Sequence, residues 1–295
     1  MYRDGDRDTV EPMAFPVRFG LKLSQQVHPI DVQREAWRIA DAAGFDHIWP
    51  FDHLIALGPD PAQPIFDGWT ILGAVAENTT RTRIGLNVTG NLYRHPGLLA
   101  KIAVTVDHLS KGRLEFGIGA AWNETEFKMQ GLPFPSAADR IRMLDESLRA
   151  MKLLWADGRA TYSGRFYQLT DAIAEPKPVQ KPHPPIWIGG SGPQLTMRVV
   201  AKHADVWNSA AGTPDEMRAL LAILDGHCAK IGRDRATIRL SHNLRVEDVD
   251  AALRQLQASR ALGYSDFLIF PSQGTDLRRA AEAVGKLLPR LREIG

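Results

Sequence analysis

Short runs of apolar residues alternate along the chain with longer segments in which apolar residues recur every three or four positions. The short runs have the length of buried β-strands, and the longer period predicts amphipathic helices. The predicted strands cover residues 18–24, 46–50, 83–89, 113–119, 185–189, 204–208, 237–242 and 266–270. The predicted helices cover residues 31–43, 68–79, 96–109, 138–156, 192–203, 214–231, 247–261 and 275–293. Eight β/α pairs without a linker predict an α/β protein that forms a single (β/α)8 TIM barrel.

Two segments fall outside this repeat. Residues 157–184 are rich in proline and lie between the fourth helix and the fifth strand, so we predict an inserted hairpin and loop there. Residues 1–15 are mostly polar and lack the apolar core of a secretion signal. We interpret residues 1–15 as a mobile N-terminal arm and residues 16–295 as the barrel domain.

The fourth helix shows how the period assigns its faces. Its apolar positions, which are predicted to face the core, are Leu144, Leu148, Met151 and Leu154. Its basic positions, which are predicted to face solvent, are Arg140, Arg142 and Arg149.

Composition and charge exclude several classes of partner. The chain has 36 basic and 34 acidic side chains, a net charge of +2, and no basic stripe interleaved with aromatic residues, so we expect no nucleic-acid partner. No apolar run is long enough to span a bilayer, so we expect no membrane partner. The single Cys228 excludes an internal disulfide and suits a cytoplasmic protein.

The chemistry of a TIM barrel lies at the carboxyl ends of its strands, which directs the search for functional residues. Asp52 and His53 follow the second strand. The imidazole of His53 could donate a proton or a hydrogen bond to a bound ring, since histidine titrates near neutral pH. The alternative for His53 is a structural role, and the alternative for Asp52 is a cap of the following loop.

A second candidate segment, LEFGIGAAWNETE, covers residues 114–126. We interpret it as a buried strand, a Gly-Ile-Gly turn whose glycines let the backbone pass close to another group, and a helix that starts with acidic residues. Glu124 and Glu126 are predicted to complement the positive end of that helix. The amide of Asn123 can both donate to and accept from the edge of a heterocycle. Tyr93, Arg94 and Trp122 are predicted either to line a pocket or to pack at its rim.

The sequence GGSG at residues 189–192 lies between a predicted strand and a predicted helix. Unpaired backbone N–H groups at such a helix start can hold a phosphate. We see no His-x-His, HExxH or carboxylate cluster at the strand ends, so we predict no metal site. Ser191 has no evident neighbouring base, and an isomerase or aldolase would need a strand-end lysine or paired carboxylates, neither of which is evident.

Four strings together resemble the bacterial luciferase-like family, and within it the branch of oxidoreductases that depend on coenzyme F420. They are GFDHIWPFDHL from Gly44, VTGNLYRHPGLLAK from Val88, GRLEFGIGAAWNETE from Gly112 and PHPPIWIGGSGP from Pro182. The resemblance spans roughly residues 17–235, and four long strings in one order make it specific.

The resemblance implies a barrel that holds a deazaflavin or flavin at its mouth. The cofactor phosphate would lie against Gly189, Gly190, Ser191 and Gly192. Asp52, His53 and Asn123 match family positions around the ring, and His53 is the expected catalytic residue. A cis peptide bond not involving proline lies under the ring in this family, and Asn87–Val88 is the matching bond.

Two positions depart from the family pattern. Ala121 stands where relatives often carry glycine, and the acidic proton donor that sugar-phosphate-oxidising relatives place just before the Asn123 position is absent. The second departure disfavours glucose 6-phosphate as the substrate.

The leading hypothesis is therefore an F420-dependent oxidoreductase that transfers a hydride between the deazaflavin and a small organic substrate. The alternatives are an FMN-dependent monooxygenase and a catalytically silent barrel that binds flavin or F420. We expect a cytoplasmic homodimer.

Overall fold

The computed structural model describes residues 15–209, 212–272 and 274–294. Nearly all of the segment interpreted as an N-terminal arm lies outside these residues. The described chain forms a closed (β/α)8 barrel, which confirms the predicted fold class.

The barrel wall consists of parallel strands, which are β1 (Arg18–Lys22), β2 (His47–Trp49), β3 (Arg83–Gly85), β4 (Thr89–Gly90), β5 (Leu114–Gly119), β8 (Ile186–Gly189), β9 (Val206–Ser209), β10 (Arg239–Arg245) and β11 (Asp266–Phe270). They pair in the order β3-β2-β1-β11-β10-β9-β8-β5-β4, and pairing of β3 with β5 closes the barrel. Each lies at or within a few residues of a predicted strand.

The helices that cover the barrel follow the predicted ones closely. They are α1 (Ile30–Ala43), α2 (Gly68–Asn78), α3 (Pro96–Leu109), α4 (Glu124–Met129), α5 (Ala137–Trp155), α6 (Leu195–His203), α7 (Pro214–Lys230), α8 (Val249–Arg260) and α9 (Leu277–Ile294). Side-chain caps fix several starts: Ser136 accepts from the N–H of Asp139 at the start of α5, and Thr213 and Glu216 form a reciprocal capping box on α7.

The predicted third strand was wrong in one respect. Residues 83–89 form not one strand but two short ones, β3 and β4, which both pair with β5. The peptide bond Asn87–Val88, between them, is cis, as the family resemblance implied. The apolar run continues through the break, so the hydrophobic pattern alone could not show it.

The Gly-Ile-Gly sequence is part of strand β5 rather than a turn. A Cβ on Gly117 would lie 2.0 Å from the carbonyl oxygen of Leu86, and one on Gly119 would lie 3.0 Å from Cγ2 of Val88. The two glycines therefore make room for the broken third strand, which is the close backbone approach that the sequence predicted.

Apolar side chains pack on both sides of the wall. Most of the core lies between the strands and the helices, and it includes the four predicted core residues of α5, which are all buried. A smaller cluster of Trp49, Trp187, Val206 and Leu268 fills the barrel interior. Strands buried on both faces read as continuous apolar runs, which is why they could be found from the sequence.

Residues 157–184 form the predicted insertion. Strands β6 (Ala160–Ser163) and β7 (Gln168–Ala172) pair as an antiparallel hairpin. The carboxylate of Glu146 on α5 accepts hydrogen bonds from the backbone N–H groups of Arg165 and Phe166 at the hairpin turn. The insertion is therefore fixed to the helix that precedes it.

The amino end of the barrel is closed by charged side chains. Three arginines at strand starts, Arg18, Arg83 and Arg239, lie within ion-pair distance of Glu115, and two of them also lie near Asp266. Burial raises the pKa of Asp266 to about 6 in spite of Arg18. We call these five residues the closed-end cluster.

Candidate functional site

A cavity of about 360 Å³ opens at the carboxyl ends of the barrel strands, the end at which TIM barrels carry their active sites. We call it the mouth cavity. It is lined by Asp52, His53, Asn87, Val88, Gly90, Tyr93, Gly119, Ala120, Ala121, Trp122, Ala137, Arg140, Ile141, Gly189, Gly190, Thr196 and Asn208.

The mouth cavity brings together six of the nine site residues named from the sequence, namely Asp52, His53, Asn87, Val88, Gly189 and Gly190. Asn123, Ser191 and Gly192 are not part of its wall. Asn123 is the residue before α4, where its side chain makes no capping hydrogen bond. The catalytic role of His53 and the cofactor-binding roles of the other eight residues stay predictions.

His53 is held at the wall by a carboxylate. Its Nδ1 lies 2.8 Å from Oε1 of Glu126, a buried side chain on α4, while its Nε2 makes no hydrogen bond with the described residues. Glu126 also accepts hydrogen bonds from the hydroxyl of Tyr93 and the backbone N–H of Leu54. Because the carboxylate accepts at Nδ1, Nε2 is the nitrogen left to exchange a proton with a ligand.

The electrostatics of this group follow from its contacts. Burial alone would raise the pKa of Glu126, but the hydrogen bonds from His53, Tyr93 and Leu54 outweigh it and lower the pKa below its usual value. Burial and the neighbouring carboxylate raise the pKa of Tyr93, so its hydroxyl stays a donor to Glu126. Glu126 therefore remains a carboxylate that can stabilise a proton on the imidazole.

Asp52, which precedes His53 in the chain, is paired with Arg94. Its carboxylate accepts from Nη1 of Arg94 at 2.5 Å and from the hydroxyl of Thr89. Burial raises the pKa of Asp52, although Arg94 and Thr89 favour the ionised form. The side chain of Gln25 bonds both the N–H and the C=O of Phe51, which fixes the backbone that leads into Asp52 and His53.

A row of hydrogen-bonded polar side chains runs from Lys22 through Asn87 and Asn208. Nζ of Lys22 donates to the carbonyl oxygen of Asn87 at 2.6 Å and to its Oδ1 at 3.1 Å. The amide of Asn87 donates to Asn208, which in turn donates to Asn243 and Ser241. Burial lowers the pKa of Lys22 to about 7. The row fixes the broken third strand against three other strands.

The glycine loop is only partly as predicted. Helix α6 begins at Leu195, three residues later than expected, so Gly190, Ser191 and Gly192 precede it as a loop. Gly190 has a φ of +124°, and its N–H lies 3.4 Å from the carbonyl oxygen of Asn208. Ala121, where relatives often carry glycine, has a φ of +63°, which is a conformation that glycine adopts more easily.

Several site residues were missed or misread in the sequence. Glu126 does lie in the first turn of α4, but its carboxylate bonds His53, 73 positions away. Arg140 was predicted to face solvent and instead lines the mouth cavity. Lys22 is a strand-end lysine that the sequence reading overlooked. Its signal was the spacing Arg18, Gly20, Lys22, since alternate residues of a strand share one face.

Two features are absent from the residues that the structure describes. They contain no group of three or more His, Cys, Asp or Glu side chains that could hold a metal ion. In the same part of the chain, no helix has the length and hydropathy needed to cross a membrane.

Comparison with known proteins identifies the class. A family model for luciferase-like monooxygenases matches residues 13–288, so the chain belongs to this family. An F420-dependent glucose-6-phosphate dehydrogenase from Microbacterium testaceum is 32% identical over 250 residues, which cover 82% of this chain and 73% of that protein. An FMNH2-dependent dimethylsulfone monooxygenase from Pseudomonas putida is 30% identical over 212 residues, or 69% of this chain and 56% of that protein.

Among solved structures, an F420-dependent secondary alcohol dehydrogenase in complex with an F420-acetone adduct superposes with a TM-score of 0.83. The match covers 94% of this chain and 99% of that one at 17% sequence identity, so it supports the fold alone. The predicted family and barrel are therefore confirmed.

Proposed function

We propose that the protein is an F420-dependent oxidoreductase that moves a hydride between the deazaflavin and a small organic substrate. The proposal is supported by membership of the luciferase-like family and by relatives named as F420-dependent enzymes. It is also supported by the chemistry of the mouth cavity.

The residues present fit such a cofactor. A volume of about 360 Å³ lies within the range of small-molecule sites. The wall contains Gly90, Gly119 and Gly189, and a Cβ at any of these positions would lie within 3.2 Å of Tyr93 or Val88. The glycines keep side-chain atoms out of this part of the wall, which would leave space for a flat ring beside Val88.

One observation carries the proposal: His53 faces the cavity with Nε2 unbonded to the described residues, while Glu126 holds Nδ1. The bound deazaflavin would supply the hydride chemistry at its ring carbon. His53 would take a proton from a substrate hydroxyl during oxidation, or return one to a carbonyl oxygen during reduction. Glu126 would stabilise the imidazolium in either direction, and Tyr93 would hold Glu126 in place.

Glucose 6-phosphate is a poor candidate for the substrate. Ala120 and Ala121 line the cavity at the segment where sugar-phosphate-oxidising relatives place an acidic proton donor. Neither side chain can donate or accept a proton. We propose instead an alcohol or carbonyl compound whose proton transfer is served by His53 alone.

An FMN-dependent monooxygenase is the second candidate, favoured by the relative from Pseudomonas putida. The two functions differ in their reaction with oxygen. A deazaflavin has carbon where flavin has nitrogen at the reactive position, so it reacts poorly with oxygen.

The experiment mixes the purified protein with reduced F420 or reduced FMN in air and measures oxygen uptake. Oxidised F420 is then tested with a panel of small alcohols, and reduced F420 with the matching carbonyl compounds. We expect no enzyme-dependent oxygen uptake with either cofactor and F420 turnover with at least one substrate. Enzyme-dependent oxygen uptake with reduced FMN but not with reduced F420, measured above the uptake by free reduced FMN, would favour the monooxygenase.

A further inference from the structure

A second cavity, of about 300 Å³, opens at the carboxyl ends of strands β9, β10 and β11. We call it the side cavity. In the part of the chain that the structure describes, its wall contains Arg245 and no aspartate or glutamate. The carboxyl ends of all barrel strands meet at one end of the barrel, so the side cavity opens at the same end as the mouth cavity. It therefore adds a positively charged wall to the end of the barrel that holds His53.

One hydrogen-bonded pair connects the walls of the two cavities. Nδ2 of Asn208, on the wall of the mouth cavity, donates to Oδ1 of Asn243 at 3.1 Å, and Asn243 lies on the wall of the side cavity. Because the oxygen of Asn243 accepts this bond, its Nδ2 is the atom left to donate to a ligand. The two cavities are therefore neighbours, and one extended molecule can reach into both.

Arg245 is held at the side cavity without being neutralised. Its guanidinium carbon lies 5.7 Å from the ring centroid of Phe270, which is within the range of a cation–π contact. Nη1 of Arg245 lies 4.0 Å from Oε1 of Glu247, and the two side chains are 63% and 47% exposed. An exposed pair at that distance contributes little free energy. The N–H groups of Arg245 are therefore available to a ligand.

The donors of the side cavity match a carboxylate. Asn243 and Arg245 are alternate residues of β10, so their side chains lie on the same side of the strand. A guanidinium presents two parallel N–H groups that fit the two oxygens of a carboxylate, and the amide of Asn243 adds a further donor. One arginine balances one negative charge. A phosphate dianion would exceed that charge and would also lie near Glu247, so the site favours a carboxylate.

The topology places this site away from the reacting carbon. In the barrel, β10 is separated from β2, the strand that precedes His53, by β1 and β11. Three steps around a barrel of eight strands lead almost to its opposite side, with neighbouring strands about 4.8 Å apart. A substrate that contacts both His53 and Arg245 therefore needs several bonds between its reacting carbon and its carboxylate.

We infer that the side cavity binds a carboxylate of the substrate through Arg245 and Asn243, an inference that rests on the proposed function. The substrate class is then an alcohol or carbonyl compound with a distant carboxylate, such as an ω-oxo acid and its ω-hydroxy acid. In the direction of reduction, the aldehyde carbon gains a hydride from reduced F420 and its oxygen gains a proton from His53. The carboxylate is bound and stays unchanged.

Binding is tested first without cofactor or turnover. Hexanoate and hexanamide have the same length and differ in charge, and ligand-observed NMR titrations with the purified protein compare their dissociation constants. We expect the parent to bind hexanoate about 5- to 20-fold more tightly than hexanamide. Arg245→Gln should remove this preference, and Arg245→Lys should retain part of it. Arg254→Gln, at an exposed position of α8 outside the cavity wall, is the matched control and should keep the parental preference.

Glu247 gives a second variant with the opposite expected effect. Glu247→Gln removes the carboxylate that lies 4.0 Å from the guanidinium and competes with the ligand. We expect it to strengthen the binding of hexanoate about 2- to 3-fold relative to hexanamide, the size of one exposed ion pair. If Arg245 only stabilises the fold, Glu247→Gln gives no such gain.

The reaction is tested next with reduced F420 and two aldehydes, 6-oxohexanoate and hexanal. We expect the parent to have a higher kcat/KM for 6-oxohexanoate than for hexanal. Arg245→Gln should lower the ratio of the two kcat/KM values about 5- to 20-fold, mainly through the KM for 6-oxohexanoate. The dissociation constant of F420, measured by fluorescence, should change less than about 2-fold.

The outcomes separate the inference from the proposed function. If F420 is turned over but the parent prefers neither hexanoate nor 6-oxohexanoate, the carboxylate site is wrong and the function stands. If hexanoate binding depends on Arg245 while F420 is neither bound nor turned over, the site stands and the function falls. Tighter binding of pentyl phosphate than of hexanoate would overturn the carboxylate. Weaker F420 binding by Arg245→Gln, as large as its effect on hexanoate, would place Arg245 at the cofactor and overturn the inference.

Discussion

The two ends of the barrel treat buried charge in opposite ways. At the closed end, Arg18, Arg83 and Arg239 surround Glu115 and Asp266, so opposite charges compensate each other inside the protein. At the mouth, the described residues leave Arg140, on the cavity wall, without a carboxylate partner. Charge that the protein neutralises itself contributes to the fold, whereas charge left without a partner beside a cavity is available to a ligand.

The sizes of the side chains show a similar contrast between the mouth and the rest of the barrel. Around the mouth cavity, Gly119 and Gly189 leave room that Val88 and a ligand can share. In the barrel interior, between the two ends, Trp49 and Trp187 pack together with their ring centroids 4.6 Å apart. Substitutions at the closed end should therefore change stability, and substitutions at the mouth should change binding or turnover.

The largest expected effect is at Glu115. Glu115→Ala leaves three half-buried arginines, of which only Arg18 and Arg239 still lie near a carboxylate, that of Asp266, so the free energy of unfolding should fall by about 3–5 kcal/mol. Urea denaturation measures the change, and Glu282→Ala, on the exposed face of α9, is the control. The affinity of the folded fraction for F420 should stay at the parental value. A loss of affinity for F420 without a loss of stability would contradict the stabilising role that we assign to the closed end of the barrel.

His53 provides the opposite case at the mouth. His53→Ala should bind F420 within about tenfold of the parent and lose at least about 10² in turnover, because general acid–base assistance is typically of that size. Steady-state kinetics with a substrate from the alcohol and carbonyl panel give the rate. A variant that turns over at the parental rate but melts at a lower temperature would show that His53 is structural.

Lys22 should make the free energy of unfolding of the protein depend on pH. Burial lowers its pKa to about 7 in the folded chain, so between pH 7 and its usual unfolded value the unfolded chain binds more protons. The stability of the parent should therefore rise with pH relative to Lys22→Met, by about 2 kcal/mol between pH 7 and pH 9. Urea titrations at several pH values measure the difference, and Lys128→Met, at an exposed position of α4, is the control. If the difference in stability between the parent and Lys22→Met does not change with pH, the lowered pKa of Lys22 is contradicted.

The smallest expected effect is at Trp122. Its side chain lines the mouth cavity but is 67% exposed, and its ring centroid lies 5.6 Å from that of His53. Trp122→Ala should leave the thermal midpoint unchanged and weaken F420 about 3- to 10-fold, the size of one aromatic contact. Unchanged binding together with lost stability would place Trp122 in the packing rather than in the site.

Much of the fold could be predicted because a parallel barrel imposes a strong pattern on its sequence. Strands buried on both faces, such as β5 and β11, read as apolar runs, and helices such as α5 show a clean period. The break between β3 and β4 could not be predicted from that pattern, since Leu86 and Val88 continue the apolar run. Only the family resemblance marked Asn87–Val88.

The candidate site was predicted less completely for a physical reason. Placement at strand ends could identify Asp52 and His53, but the bond from His53 to Glu126 joins distant parts of the chain. The helical period places Arg140 away from the core, yet it cannot show that Phe134 and the cavity cover that position. Pairing between distant side chains depends on packing that local sequence does not encode.

The most direct test of the account is a fluorescence titration of the purified protein with oxidised F420 and with FMN in the same buffer. We predict a dissociation constant for F420 in the low micromolar range or below, which corresponds to about −8 kcal/mol or better, and weaker binding of FMN. Equal or tighter binding of FMN would contradict the F420-dependent function.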